Sequence, residues 1–114
     1  MGISDAIREA ASQVLKTGGF VIFDDGNELE YVQYSKEGGG LMLMWPADGP
    51  NVTATDPRVA SLLDFLGVRY AVESDGIYAQ FGTDLDLIEN FTTAAFERVY
   101  GRLGLQKLNV RVDA

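Results

Sequence analysis

The stretch FVIFDDGNELEYVQYSKEGGGLMLMWP, residues Phe20–Pro46, decides the fold. It contains three runs rich in β-branched, aromatic and long apolar residues, separated by the breaks DDGN and KEGGG. Asp25, Gly26 and Asn27 favour a tight turn, and the glycines 38–40 favour a looser one. Short turns join strands in antiparallel fashion, so the stretch predicts a three-stranded meander.

The third run, GLMLMW, is apolar on both sides. Because strand side chains alternate, Leu41, Leu43 and Trp45 point one way while Met42 and Met44 point the other. A strand covered on one side normally places polar residues on the other. Burial within the protomer, a second subunit or a bound partner would explain the methionines, and flexible methionines suit surfaces that accept varied partners. The predicted partner-binding residues are Tyr31, Gln33, Tyr34, Met42, Met44 and Trp45.

Apolar residues at helical spacing flank the meander. ISDAIREAASQVLKTGG predicts a helix over residues 5–16, with Ser4 as its cap and Gly18 as its end. TDPRVASLLDFLG predicts a second helix. Its expected cap is Thr55 or Asp56, and Pro57 and Gly67 mark its first helical position and its end.

The rest of the chain predicts a second hairpin, a third helix and a last strand. VRYAVE and IYAQF are joined by a turn at 74–76, and Thr83 with Asp86 resembles a capping box for the third helix. LQKLNVRV alternates apolar and polar residues, which is typical of an edge strand with one wet face. The predicted order is α-β-β-β-α-β-β-α plus a C-terminal strand, a mainly antiparallel α+β fold.

The third helix has a wider apolar stripe than a simple surface helix needs. Phe96 and Tyr100 broaden the stripe formed by Leu87, Ile88, Phe91, Ala95, Val99 and Leu103. That width indicates two packing partners, one of which is expected to be a second copy of the chain. The sequence therefore predicts a homodimer.

Composition sets the class of protein. A chain of 114 residues, 46% hydrophobic and 23% charged, fits a single globular domain over residues 1–114. Its longest apolar runs are too short to span a membrane, and its first residues lack the features of a secretory signal. We expect a cytoplasmic protein with no membrane partner.

Charge and missing residue types exclude several functions. The net charge is −8, with nine basic residues and no basic cluster, so no nucleic-acid partner is expected. The chain has no His and no Cys. This excludes disulfides, zinc fingers and hydrolases that use a His base, and no cofactor is predicted.

Two acidic clusters keep an enzymatic hypothesis open. They are TDLDLIEN, with Asp84, Asp86 and Glu89, and FDDGNELE, with Asp24, Asp25, Glu28 and Glu30. Such groups suit divalent-cation sites or paired-carboxylate hydrolysis. Helix-start and turn chemistry explains their positions more simply, so no catalytic or metal site is predicted.

The two predicted hairpins contain similar four-residue segments. YVQY at 31–34 and YAQF at 78–81 each alternate an aromatic residue and Gln on one face with an apolar and an aromatic residue on the other. Strands favour aromatic residues in any case, and Gln33 and Gln80 are expected to complete hydrogen bonds at the sheet surface.

The element order and the segments EYVQYSKEGGGLMLM, LLDFLGVRY and AAFERVYGRLG resemble the type III secretion chaperone-like superfamily, including its YbjN and TY-Chap relatives. The resemblance covers about residues 3–103. It departs from the family at Val68, where relatives often have an aromatic residue, and in the added C-terminal strand. It implies a small, acidic, non-enzymatic α+β protein, often homodimeric, that binds client polypeptides on apolar surfaces.

Three functional hypotheses follow. The leading one is a non-catalytic, chaperone-like module that presents an apolar sheet face to a client protein or peptide. The second is a small carboxylate-based or divalent-metal-dependent enzyme. The third is a structural or immunity-type partner subunit.

Overall fold

The structure is a computed structural model that describes residues 2–26, 30–46, 57–102, 104–105 and 107–113. The helices are α1 (Ile3–Thr17), α2 (Pro57–Leu66) and α3 (Leu85–Ala94), and α3 continues into a π-helical turn, Ala95–Val99. The strands are β1 (Phe20–Asp24), β2 (Tyr31–Glu37), β3 (Gly40–Pro46), β4 (Tyr70–Glu73), β5 (Gly76–Gly82) and β6 (Asn109–Asp113). This confirms the predicted α+β fold and element order.

The six strands of the described residues form one antiparallel sheet in the order β4-β5-β3-β2-β1-β6. The meander β1-β2-β3 lies at its centre, and the second hairpin joins it through β5, which pairs with β3. At the other side β6 pairs with β1. The last strand is therefore at a sheet edge, as its alternating sequence predicted.

The helices pack on one face of this sheet. α3 crosses its centre, where the Tyr34 hydroxyl of β2 bonds Thr92 Oγ1 at 2.7 Å and the rings of Phe81 and Phe91 meet edge to face at 5.3 Å. α1 packs against β1 and α3, and α2 packs against α3 and the π turn. The hydrophobic core lies between the helices and this face of the sheet.

The first helix forms because its apolar residues repeat on one side. Ile7, Ala10, Ala11 and Val14 are buried, as the spacing predicted. The predicted cap is wrong: the N-cap is Gly2, without a side-chain bond, and Ser4 instead donates from Oγ to Glu89 of α3 at 2.8 Å. Ser4 lies inside the first turn of a helix that begins two residues earlier than predicted.

The second helix has the ends that its sequence predicts. Pro57 is its first residue, where a missing N–H costs nothing, and Gly67 follows it with φ 72. The predicted caps Thr55 and Asp56 lie outside the described residues.

The third helix begins and ends differently from the prediction. Its N-cap is Asp84, whose Oδ1 accepts from Leu87 N at 3.0 Å, so the predicted capping box of Thr83 and Asp86 is wrong by one residue. At its other end the chain widens into the π turn, where Tyr100 N–H reaches back five residues to the Ala95 carbonyl at 3.1 Å.

The wide apolar stripe of the third helix is accounted for inside the protomer. Ile88, Phe91, Ala95, Phe96 and Val99 are all buried, because α3 and the π turn contact α1 and α2 as well as the sheet. The stripe therefore needs no second subunit to cover it. Leu103, also predicted for this stripe, lies outside the described residues.

Candidate functional site

The third strand separates its apolar side chains between two different environments. Leu41, Leu43 and Trp45 are buried beneath the helices at 0%, 0% and 2% exposure. Met42 and Met44 lie on the opposite face and remain half-exposed. The prediction that β3 is apolar on both faces is confirmed. No helix of the described residues packs over the methionines.

Strand register places further apolar and amide side chains around the two methionines. Met44 lies between Gln33 of β2 and Tyr78 of β5. Met42 lies between Ser35 and Gln80 in the next row. We call this surface the open face. Its members are Phe20, Ile22, Tyr31, Gln33, Ser35, Met42, Met44, Tyr78 and Gln80.

The similar segments YVQY and YAQF lie on either side of β3, and their tyrosine and glutamine side chains on the open face are offset from each other by two residues. Tyr31 and Gln33 lie on one side of the methionines, and Tyr78 and Gln80 lie on the other. Gln80 Nε2 donates to Met42 Sδ at 3.5 Å, a weak bond at the sheet surface. The repeated pattern therefore places one aromatic ring and one amide on each side of an apolar strip.

Local contacts hold the side chain of Tyr78 and the backbone of Tyr31. The Tyr78 hydroxyl donates to Asp75 Oδ2 at 2.7 Å; that bond, followed by partial desolvation, raises the pKa of Tyr78 above its ordinary value. The carbonyl of Tyr31 accepts a bond from the Tyr100 hydroxyl at 2.8 Å, which ties the start of β2 to the end of the π turn. The open face is thus attached to a well-packed scaffold.

The open face is concave beside β6. Ile22, Asp24, Tyr31, Gln33 and Arg111 line a depression of about 310 Å³ there. The Asp24 carboxylate accepts bonds from Gly26 N–H and from the Asn109 amide, both at 2.9 Å. The depression is lined mainly by polar groups, with Ile22 beside a hydrogen-bonded acid and an exposed arginine, an arrangement suited to the polar end of a side chain.

Two of the predicted partner-binding residues are not on this surface. Tyr34 is 0% exposed and Trp45 is 2% exposed, both beneath the helices, so their assignment to a binding surface is wrong. The reason is the two-residue period of a strand: each adjoins an open-face residue in sequence and therefore points to the other side. Burial raises the pKa of Tyr34 above its ordinary range, against the opposing effect of its bond with Thr92.

The remaining predicted residues are brought together. Tyr31, Gln33, Met42 and Met44 share the open face across two neighbouring strands. Sequence reasoning missed Phe20, Ile22 and Tyr78 as members of the open face, and it missed Arg111 in the adjoining depression. The alternation in FVIF and LNVRV indicates which of their residues share a face. Only the strand order shows that this face is the one that carries the methionines.

The first acidic cluster forms ion pairs with an arginine. Arg102 donates from Nε to Asp25 and from Nη2 to Glu30, both at 2.6 Å, and from Nη1 to the Tyr100 carbonyl at 3.1 Å. These contacts tie the first hairpin to the end of the π turn. Glu28 lies outside the described residues.

The second acidic cluster joins two helices. Arg8 of α1 bonds Asp86 at 2.5 Å and Glu89 at 3.3 Å, while Asp84 caps α3. The two carboxylates raise the pKa of Arg8 through these bonds. Across the described part of the chain, no three acidic side chains gather in an arrangement able to hold a metal ion.

Comparison of the chain with protein-family models, with curated proteins and with solved structures found no match. Among the described residues, no helix is long and apolar enough to cross a membrane.

Proposed function

We propose that this protein is a non-catalytic, chaperone-like binding module that holds an extended segment of a client polypeptide on the open face. One observation carries the proposal: β3 presents Met42 and Met44 on the side of the sheet opposite the helices, between the aromatic and amide side chains of β2 and β5. The resemblance to secretion-chaperone-like proteins implies the same kind of role. A cytoplasmic location belongs to this proposal.

Binding of a client over the open face is favoured by the burial of apolar surface. Apolar surface removed from water contributes roughly 25 cal/mol per Å², so a client that covers the methionines and Ile22 gains affinity from their burial. Methionine side chains adapt to different shapes, which suits a surface that accepts more than one segment. Gln33 and Gln80 supply amides that bond a client's main chain.

The client chemistry follows from the geometry and the charge. An extended segment alternates its side chains, so every second residue faces the sheet and the rest face water. The net charge of −8 favours the approach of a basic segment. The edge strands β4 and β6 offer a second mode, in which the client adds a strand beside the sheet.

The enzymatic alternative has less support. The described carboxylates on which it rests make contacts that build the fold. Asp25 and Glu30 pair with Arg102, Asp86 and Glu89 pair with Arg8, Asp84 caps α3, and Asp24 accepts bonds from Gly26 N–H and the Asn109 amide. A structural subunit that binds one fixed partner would use the same open face, and it would differ from a chaperone by selecting a single sequence.

The double replacement Met42→Ser with Met44→Ser tests the proposal. The fold is expected to survive because both side chains are half-exposed, while affinity for short peptides alternating leucine with lysine falls by about tenfold or more. Fluorescence anisotropy with dye-labelled peptides measures the affinity, and urea denaturation checks the fold.

The matched control is Val72→Ser with Val110→Ser. These valines are 47% and 39% exposed and lie on the edge strands, on the helix side of the sheet. The control removes exposed apolar surface without altering the open face, so it should bind the peptides normally. Equal affinity in wild type and in the methionine variant would contradict the proposal, as would unfolding of the methionine variant.

We also propose a homodimer, supported by the apolar side chains of Val72 and Val110 that remain exposed on the edge strands β4 and β6. Two copies related by a two-fold axis bury such side chains symmetrically. Sedimentation velocity at micromolar concentration should show a species near twice the 12.4 kDa chain mass. A single species at the chain mass would contradict the dimer. A dimer that dissociates in the methionine variant would instead make these residues its interface and remove them from client binding.

A further inference from the structure

A second apolar surface lies on the helix layer, away from the open face. Phe65 of α2 is 77% exposed, the highest value among the large hydrophobic side chains of the described residues. Its neighbours Leu62, Leu63 and Leu66 are buried or half-buried, as expected for the inner side of an amphipathic helix. Phe65 therefore places an aromatic ring in water where packing does not require one.

A groove adjoins this ring. Its volume is about 470 Å³, and it lies between α2 and the π turn. We call it the α2 groove, and its lining residues are Pro57, Arg58, Ser61, Leu62, Phe65 and Arg98. Five of these recur along one side of α2, while the π turn supplies Arg98.

The π turn positions the cationic side of the groove. Arg98 lies within it, and its guanidinium carbon is 6.0 Å from the centre of the Phe65 ring, within the range of a cation–π contact. Arg58 Nη1 donates to the carbonyl of Val99 at 2.9 Å, which fixes the first turn of α2 against the end of the π turn. Short π segments inside helices frequently occur at functional sites.

The lining of the groove contrasts with the net charge of the protein. The whole chain carries −8, yet the described lining holds two arginines and no carboxylate. The nearby Asp64 accepts a bond from the Tyr70 hydroxyl at 3.3 Å and does not line the groove. Guanidinium groups beside apolar carbon are suited to a ligand that carries a carboxylate next to an apolar side chain.

We propose that the α2 groove binds a short acidic segment of a partner protein, with an aliphatic or aromatic side chain against Phe65 and Leu62 and a neighbouring carboxylate on Arg98. A polyanion such as nucleic acid fits this site poorly, because seventeen acidic residues repel it and two arginines are too few to offset them. This site goes beyond the proposed function and is independent of the open face.

Short dye-labelled peptides test the proposal, each with one leucine, phenylalanine or tryptophan between glutamates. Binding is measured by fluorescence anisotropy, with matched peptides in which glutamine replaces every glutamate. At least one acidic peptide should bind wild type, and both Arg98→Gln and Phe65→Ser should weaken it by about tenfold. Both residues are exposed, so the urea midpoints should stay near wild type.

The variant Met42→Ser with Met44→Ser is the control that separates the two sites, and it should bind the acidic peptide normally. Failure of every acidic peptide to bind would overturn the proposal, and so would equal binding of the glutamine peptides. Unchanged affinity in Phe65→Ser would do the same. Dissociation of a dimer by Phe65→Ser would show that a second copy occupies the groove, which also contradicts an acidic client.

Discussion

Replacing Trp45 with alanine is expected to lower the free energy of unfolding by about 3–5 kcal/mol. Trp45 is 2% exposed, stacks on Tyr100 at 5.4 Å between ring centres and meets Phe91 edge to face at 6.3 Å. The substitution removes the indole and leaves a cavity between β3, α3 and the π turn. Urea denaturation followed by circular dichroism measures the loss, which is a large part of the roughly 5–15 kcal/mol typical of a small domain.

The adjacent residue on the same strand is the matched control. Met44 is half-exposed on the open face, so Met44→Ala is expected to cost about 1 kcal/mol or less. Equal losses in the two variants would mean that both faces of β3 are core, which contradicts an open face. A negligible loss in Trp45→Ala would contradict the buried position of the indole.

Replacing Gly76 with alanine is expected to destabilise the fold by roughly 3 kcal/mol or more, through overlap and backbone strain together. Gly76 opens β5 with φ 154, a conformation that L side chains rarely adopt. An added Cβ would overlap the Trp45 carbonyl oxygen and lie 3.2 Å from Pro46 Cα. These are backbone atoms of the paired strand β3, so they cannot move aside without breaking the pairing.

Gly39→Ala is the control for this prediction. Gly39 lies at the turn between β2 and β3, its φ is not positive, and an added Cβ would meet no atom within 4 Å. Its free energy of unfolding, measured by urea denaturation, should match that of wild type within about 0.5 kcal/mol. A Gly76→Ala variant as stable as Gly39→Ala would contradict the close approach of β5 and β3.

Most elements of the fold are predictable from local sequence. Glycine-containing breaks separate the strands of the meander, and glycines stand directly after α1 and α2. The alternation of GLMLMW also predicts correctly which side chains share a face. These features depend on short-range backbone geometry, which the order of residues encodes directly.

The order of the strands in the sheet and the π turn are harder to predict from the sequence. β5 pairs with β3 although 29 residues separate the two strands in the chain, and the local sequence pattern does not specify that pairing. The π turn places Arg98 beside Phe65, although AAFERVY alone is compatible with a continuous α-helix. The α2 groove therefore could not be predicted from the sequence.

The candidate site was predicted in part. The two-residue period of a strand and the short turn between β2 and β3 place four of the predicted residues on one surface: Tyr31, Gln33, Met42 and Met44. Residue type predicts Tyr34 and Trp45 on the same surface, although the two-residue period of a strand places them in the core. Ile22 joins the site through the register between β1 and β2, a tertiary feature.

The most direct test of the central claim is an NMR titration of protein labelled with carbon-13 at the methionine methyl groups. The signals of Met42 and Met44 are assigned from the single serine variants, and the ligand is the peptide that alternates leucine with lysine. Client binding on the open face predicts that both signals shift with the same binding constant that anisotropy gives. Peptide binding that leaves both methyl signals unchanged would contradict the account.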